Sequence, residues 1–190
     1  MGKKRVFIIH GWGGHPGEGV LGWLEQELTK RNIFVKSPAM ANTDAPKIEE
    51  WVTHITRLVG DHYPDCYLVG YSLGANAILR YLATLKKGQT IPGVVFIAPA
   101  LHVKGELTVE QKKIISPWID KKLDLDTAKR RMNKSAAIFS DDDPLVPIMD
   151  TQLFRNKVNS KIIIEKGKGH FDQSENLPIA LETILSFLRK

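Results

Sequence analysis

The chain has 190 residues, 43% apolar and 25% charged, a composition typical of one globular domain with a sizeable core. Its net charge is +6, from 27 Lys and Arg against 21 Asp and Glu, but the basic residues are scattered and no nucleic-acid-binding signature accompanies them. The single cysteine, Cys66, excludes an internal disulfide, and no segment is long and apolar enough for a signal-peptide core or a membrane span. We therefore expect one cytoplasmic domain over residues 1–190 that binds neither nucleic acid nor membrane.

Short apolar runs alternate with helical patterns along the chain. The apolar runs predict strands at residues 6–10, 33–36, 66–69, 94–98, 136–139 and 162–165. The helical patterns lie at residues 21–30, 48–59, 77–85, 109–115, 126–132, 149–154 and 178–188. Continuously apolar strands that alternate with helices predict an α/β fold, with a parallel sheet of about six strands covered on both faces. In such a sheet, ligands bind beyond the carboxyl ends of the strands.

A glycine-rich turn, His10-Gly11-Trp12-Gly13-Gly14, follows the first predicted strand. A phosphate-binding loop of the dinucleotide type would need G-x-G-x-x-G at the start of a helix, and this turn does not match that pattern. We interpret it instead as one side of an oxyanion hole, with the backbone N–H of Trp12 as the donor.

The third predicted strand runs into Gly70-Tyr71-Ser72-Leu73-Gly74, a G-x-S-x-G sequence, and a helical pattern follows it. A strand, a tight turn with serine at its apex and a helix form the context of a nucleophile elbow. The flanking glycines are required because the sharp turn brings strand and helix too close for a Cβ. This pattern predicts Ser72 as a nucleophile and the N–H of Leu73 as the second oxyanion donor.

The partners of the serine are predicted from chain order, which in this fold is Ser, then Asp or Glu, then His. His170 follows the sixth predicted strand and satisfies that order as the general base. Three aspartates follow the fifth strand, and Asp143 is favoured as the acid because a rigid apolar Pro-Leu-Val-Pro turn comes directly after it. Asp142 is the second choice, and Asp141 is expected to lie in a solvated loop.

The segment at residues 101–133 is charged and carries more apolar residues than two exposed short helices need. Pro117 and Trp118 are predicted to separate those helices. Two interpretations are open: the segment is a small cap that roofs an acyl pocket, or it covers the sheet as an ordinary crossover would. In the first case Trp118, together with Tyr71 of the elbow, would bind substrate.

The order and spacing of these motifs carry a family resemblance. The chain resembles the small α/β-hydrolase family that includes retinoblastoma-binding protein nine and the bacterial YdeN-like proteins. The segments that carry the resemblance are His10-Gly11-Trp12-Gly13-Gly14, Trp23, Gly70-Tyr71-Ser72-Leu73-Gly74, Pro117-Trp118, Asp142-Asp143-Pro144 with Pro147, and Gly169-His170-Phe171. The resemblance implies a reduced α/β-hydrolase fold and a triad of Ser72, Asp143 and His170. At Tyr71 and Leu73 the chain departs from some members of the family.

These inferences predict a serine hydrolase that cleaves a small-molecule ester, thioester or amide through an acyl-enzyme on Ser72. Such a reaction needs no metal and no organic cofactor. Two alternatives stay open: perhydrolase-type chemistry on the same triad, and a catalytically silent protein whose pocket contacts a partner. The acyl group, the leaving group, the oligomeric state and the existence of a protein partner do not follow from the sequence.

Overall fold

The computed structural model describes residues 3–189, so residues 1, 2 and 190 of the predicted domain lie outside the described part. The strands of that part are β1 (Arg5–Ile9), β2 (Phe34–Lys36), β3 (Cys66–Tyr71), β4 (Gly93–Ile97), β5 (Ser135–Ser140) and β6 (Lys161–Glu165). Its α-helices are α1 (Gly19–Thr29), α2 (Ile48–Val59), α3 (Leu73–Thr84), α4 (Val109–Asp120), α5 (Leu125–Arg130), α6 (Asp150–Leu153) and α7 (Pro178–Leu188). A 3₁₀ segment, Gly60–Asp65, precedes β3, and a π-helical turn, Phe154–Val158, follows α6.

The strands form one sheet in the order β2-β1-β3-β4-β5-β6, and every neighbouring pair is parallel. Alternate side chains of β1 enter two apolar layers: Phe7 and Ile9 pack with α2 and α3, while Val6 and Ile8 pack with α1 and α7. Helices therefore cover both faces of a six-stranded parallel sheet, as the sequence predicted.

The order of the strands determines where a ligand can bind. The chain passes from β1 to β2 on one side and then crosses back to place β3 on the other side of β1. The loops that follow β1 and β3 therefore leave the same edge of the sheet in opposite directions. A crevice opens at such a switch point, and both the glycine-rich turn and Ser72 lie there.

The sequence misplaced the end of α4. The predicted break at Pro117 does not occur, because α4 continues through that residue to Asp120. A proline inside a helix removes one backbone N–H, which leaves a carbonyl one turn earlier without its helical partner. Here that carbonyl belongs to Lys113, and both Lys113 and Pro117 are exposed, so water can replace the lost bond. Within residues 3–189, no helix has both the length and the apolar character needed to cross a membrane.

Candidate active site

Ser72 occupies a strained turn between β3 and α3. Its backbone angles are φ 51° and ψ −118°, a region that residues other than glycine rarely adopt. The two flanking glycines are required by space: a Cβ at Gly74 would lie 2.4 Å from the carbonyl oxygen of Ile9, and one at Gly70 would lie 2.7 Å from the Cα of Ala75. The close approach of strand and helix thus presents the serine hydroxyl at the carboxyl edge of the sheet.

A chain of hydrogen bonds joins Ser72, His170 and Asp143. The Nε2 atom of His170 lies 3.0 Å from the Oγ atom of Ser72. The Nδ1 atom of His170 lies 2.8 Å from Oδ2 of Asp143. A carboxylate accepts, so Nδ1 carries the proton of the neutral imidazole and Nε2 is left free to accept from the serine hydroxyl. This tautomer is the one that a general base at Ser72 requires.

The buried carboxylate of Asp143 is held in its ionised form. Its second oxygen, Oδ1, accepts from the backbone N–H of Leu145 at 2.8 Å and of Val146 at 2.9 Å. Burial acts to raise the pKa of Asp143, but the hydrogen bonds from His170 and from these two amides outweigh it and hold the pKa below its usual range. The carboxylate therefore remains a strong acceptor for the imidazole.

The two preceding aspartates hold the loop that carries His170. Oδ1 of Asp142 accepts from the hydroxyl of Ser140 at 2.6 Å and from the N–H of Gly169 at 2.8 Å. Asp141 accepts from the N–H of Gly167 at 2.9 Å. Of the three aspartates considered from the sequence, Asp143 is therefore the one that contacts the imidazole, and its neighbours fix the backbone of the facing loop.

The glycine-rich turn lies directly against the serine. A Cβ placed on Gly11 would lie 3.0 Å from the Cβ of Ser72, so the backbone of this turn packs onto the elbow. Trp12, the next residue, is anchored by its indole Nε1–H, which donates to the carbonyl of Asp44 at 2.9 Å. Leu73 is the first residue of α3, where the amides of a helix N-terminus are free to bind negative charge. Trp12 and Leu73 line one cavity together with Ser72.

His10, the first residue of the glycine-rich turn, has a role that no sequence pattern predicted. It is buried, its Nδ1–H donates to the carbonyl of Gly11 at 2.9 Å, and its Nε2 accepts from the N–H of Met40 at 3.1 Å. Burial lowers the pKa of His10, which favours this neutral form. The ring therefore holds the turn that leads into Trp12.

Two cavities of the described residues adjoin Ser72, and Trp12 and Leu145 line both. The smaller cavity, of about 160 Å³, is apolar over most of its surface and is roofed by residues of the 101–133 segment, which are Val103, Leu107, Gln111 and Ile115. The larger cavity, of about 390 Å³, is formed by the glycine-rich turn, the start of α1, Tyr71 and the loop after His170. The candidate site is thus a pair of cavities that meet at the serine.

Tyr71 lines the larger cavity and supports the imidazole. Its hydroxyl donates to the carbonyl of His170 at 2.7 Å, and the two rings lie 5.2 Å apart between centroids. Burial raises the pKa of Tyr71, with further contributions from the negative charges of Asp172 and Asp143. Tyr71 therefore stays protonated and keeps donating to the loop of His170.

Trp118 lies elsewhere. Its side chain is 1% exposed, its Nε1–H donates to the carbonyl of Pro46 at 2.9 Å, and its ring packs on Trp51 with centroids 5.5 Å apart. Neither cavity beside Ser72 is lined by Trp118. The structure therefore does not bring Trp118 together with the other residues expected to bind substrate. Ile115 and Trp118 lie about one turn apart on the buried side of α4, and Ile115 lines the smaller cavity whereas Trp118 packs in the core.

A buried polar pair on α3 fixes the position of α4, and the sequence analysis missed it. Arg80 donates through Nη2 to the carbonyls of Trp118 at 2.9 Å and Lys121 at 2.8 Å, and through Nε to Asn76 at 2.8 Å. Asn76 donates in turn to the carbonyl of Ala100 at 3.1 Å. Asn76 and Arg80 are four residues apart on an otherwise apolar helix, a pattern that could have indicated this role.

A second His–Asp pair lies apart from the serine. The Nδ1 atom of His102, an exposed residue, lies 2.7 Å from Oδ1 of the buried Asp150, and neither residue lines the two cavities. Within residues 3–189, no group of three or more His, Cys, Asp or Glu side chains is arranged to hold a metal ion.

Comparison with known proteins agrees with this geometry. A family model described as serine hydrolase matches residues 6–186. The chain is 27% identical to the hydrolase YdeN of Bacillus subtilis (strain 168), covering 98% of this chain and 97% of YdeN. The crystal structure of the B. subtilis ydeN gene product superposes with a TM-score of 0.87 at 23% identity, covering 98% of this chain and 100% of that one. Est1E from Butyrivibrio proteoclasticus superposes with a TM-score of 0.77 at 17% identity, covering 98% and 89%.

The structural matches share the α/β-hydrolase fold, and the family match spans nearly the whole chain, from β1 into α7. The chain therefore belongs to the serine hydrolase family.

Proposed function

We propose that the protein is a carboxylesterase-like serine hydrolase that cleaves a small acyl substrate through an acyl-enzyme on Ser72. The observation that carries this proposal is the hydrogen-bond chain from Ser72 Oγ to His170 Nε2 at 3.0 Å and from His170 Nδ1 to Asp143 at 2.8 Å. A binding protein would have no use for a strained serine whose hydroxyl lies beside an imidazole that a carboxylate orients. The spacing matches that of a nucleophile, a base and an orienting acid.

In the proposed reaction, Ser72 Oγ attacks the carbonyl carbon while His170 Nε2 takes the hydroxyl proton. The negative charge that develops on the carbonyl oxygen is stabilised by the backbone N–H groups of Leu73 and Trp12, and by the N-terminal end of α3. Collapse of the tetrahedral intermediate breaks the bond to the leaving group, which takes the proton from His170. Water then attacks the carbonyl carbon of the acyl-enzyme while His170 Nε2 takes one of its protons. The bond from that carbon to Ser72 Oγ breaks, Oγ takes the proton back from His170, and the acid product leaves.

We further propose that the 101–133 segment acts as a small cap over the acyl group. Its residues Val103, Leu107 and Ile115 line the smaller cavity, and the Asn76–Arg80 pair holds the end of α4 in place above the elbow. Closing an apolar roof over the serine excludes water from the ester, which strengthens the electrostatic interactions of the oxyanion donors.

A fluorophosphonate probe tests the proposal, because it reacts covalently with an activated serine. Intact-mass spectra are expected to show one adduct on the wild-type chain and on Ser186→Ala, a control variant at an exposed serine of α7. Ser72→Ala is expected to show none and to lose hydrolysis of 4-nitrophenyl butyrate. Folded wild-type protein that neither takes the probe nor hydrolyses the ester would refute the proposal.

A further inference from the structure

The two cavities beside Ser72 differ in size and in charge, and this difference defines a substrate. We propose that the protein hydrolyses esters that combine a short, uncharged acyl group with an alcohol bearing a cationic group. The acyl group occupies the smaller cavity under α4, and the alcohol occupies the larger cavity beside α1. This inference rests on the proposed function, since it assigns the two halves of a substrate to the two sides of the same serine.

The smaller cavity limits the acyl group by volume. A cavity of about 150 Å³ in another protein admits benzene, a molecule of six carbons. The present cavity measures about 160 Å³, so it has room for an acyl chain of about four to six carbons. Longer chains would have to displace Leu107 or Ile115 of the roof.

The lining of the smaller cavity also limits the acyl group by charge. Among its lining residues in the described chain there is no Asp, Glu, Lys or Arg, and His170 is the one ionisable side chain. Gln111 is polar, but its carbonyl oxygen accepts from the N–H of Thr108 at 2.9 Å as part of the cap of α4. A charged acyl group would lose its hydration here without gaining a partner, so the site selects a neutral one.

The larger cavity, in contrast, favours a positively charged group. Its lining in the described chain contains two carboxylates, Glu18 and Asp172, and neither Lys nor Arg, although the chain as a whole has a net charge of +6. A backbone N–H fixes each carboxylate: that of His15 binds Glu18 at 2.9 Å, and that of Gln173 binds Asp172 at 3.0 Å. The local field is therefore negative and its sources are held in place.

Two further features of the larger cavity suit a cationic alcohol. The aromatic rings of Trp12 and Tyr71 line it, and aromatic rings attract ammonium groups. The negative charge of Asp172 contributes to the raised pKa of Tyr71, so this carboxylate acts on the interior of the cavity as well as on its rim. His170 also lines the cavity, where it can protonate the departing alcohol.

Three butyrate esters that share one shape test the assignment of the alcohol. They are butyrylcholine, its uncharged isostere 3,3-dimethylbutyl butyrate, and the anionic 2-sulfoethyl butyrate. We expect kcat/KM to be about tenfold higher for the cationic than for the neutral ester, because two exposed carboxylates attract the cation. The anionic ester should have a lower kcat/KM than the neutral one. Added salt near 1 M should reduce this discrimination, because exposed charges more than about 3 Å apart are then largely screened.

The double variant Glu18→Gln/Asp172→Asn is expected to lose the cationic preference, so that the cationic and the neutral ester have similar kcat/KM values. The control Asp61→Asn/Glu182→Gln changes net charge equally at two exposed positions outside both cavities, and should keep the preference. A preference that survives in the first variant, or an anionic ester that is cleaved as well as the cationic one, would overturn the assignment.

Turnover of the neutral ester with no charge discrimination refutes this inference alone. Failure of all three esters, with no labelling at Ser72, refutes the proposed function as well.

A series of 4-nitrophenyl esters from acetate to decanoate tests the acyl side. We expect the highest kcat/KM at four to six carbons and a decline from eight carbons onward. A steady rise to decanoate would show that the acyl chain does not occupy the cavity under α4.

Discussion

The imidazole of His10 donates its Nδ1–H to the carbonyl of Gly11 at 2.9 Å. That carbonyl belongs to the same planar peptide unit as the N–H of Trp12, and in a trans peptide the two groups point in opposite directions. A side chain that fixes the carbonyl therefore fixes the direction of the Trp12 N–H. The N–H of Gly14 also binds the Gly11 carbonyl, at 3.2 Å, so the peptide is held from two sides.

We predict that His10→Ala lowers kcat with little change in KM. The Trp12 N–H interacts with the negative oxygen of the transition state more strongly than with the carbonyl of the bound ester, so its disorder weakens mainly the former interaction. Loss of a complete oxyanion donor costs about 10²–10³ in kcat, and loss of its orientation should cost about tenfold or more. Steady-state kinetics with 4-nitrophenyl butyrate provide the measurement. His62→Ala, at an exposed histidine, is the control. An increase in KM with unchanged kcat would contradict a positioning role for His10.

The sequence predicted the fold and the meeting of Ser72, Asp143 and His170 because those inferences depend on short-range patterns and on chain order. Ser72 and His170 are 98 positions apart, yet each follows an apolar strand, and the carboxyl ends of parallel strands share one edge of the sheet. Each of these residues could thus be placed from its own neighbours in the sequence.

The position of Trp118 could not be predicted in this way. Whether it lines the cavity or packs in the core depends on where its turn of α4 lies relative to Ser72, and that placement depends on the helix continuing through Pro117 and on the carbonyls that Arg80 binds. These are tertiary contacts between segments about 40 residues apart. The division of the site into two cavities depends in the same way on Trp12, whose indole is anchored by a distant carbonyl at Asp44.

The buried neutral form of His10 predicts a dependence of stability on pH. Burial lowers the pKa of His10 in the folded chain, whereas an imidazole in the unfolded chain titrates near 6.5. The unfolded state therefore binds more protons below about pH 6.5, and the free energy of unfolding should fall as the pH drops below that value. The slope from one such group is at most about 1.4 kcal/mol per pH unit. Burial and the charges of Lys36 and Arg57 shift the pKa of His54 in the same direction.

Urea unfolding at several pH values between 5 and 8 measures this slope. His10→Asn is expected to reduce it, because the substituted side chain does not titrate, while His62→Asn should leave it unchanged. Equal slopes in wild type and His10→Asn would mean that other groups account for the pH dependence.

We predict that Asp143→Asn reduces kcat by about 10⁴, because the amide can no longer hold the imidazole in the tautomer that accepts from Ser72. Asp142→Asn is the matched control one residue earlier. Its side chain can still accept from Ser140 and Gly169 through an amide oxygen, so activity should change little. The two variants are compared by kcat and by the rate of fluorophosphonate labelling. A larger loss for Asp142→Asn would place the orienting role on that residue.

The last prediction separates the roof of the acyl cavity from the core beneath it. Leu107 is partly buried and lines the cavity, so Leu107→Ala should enlarge the acyl site at a modest cost in stability. The optimum in the 4-nitrophenyl ester series is then expected to move toward eight carbons. Trp118 is 1% exposed and packs on Trp51, so Trp118→Ala should cost about 3–5 kcal/mol and leave the chain-length optimum of the folded protein unchanged.

Melting curves and the ester series, measured on both variants, show which of the two residues limits the acyl chain and which stabilises the core. The opposite pattern, in which Trp118→Ala shifts the optimum and Leu107→Ala does not, would place the acyl chain on the other side of α4. That result would contradict the proposed cap, because the residues that line the smaller cavity would then have no part in selecting the substrate.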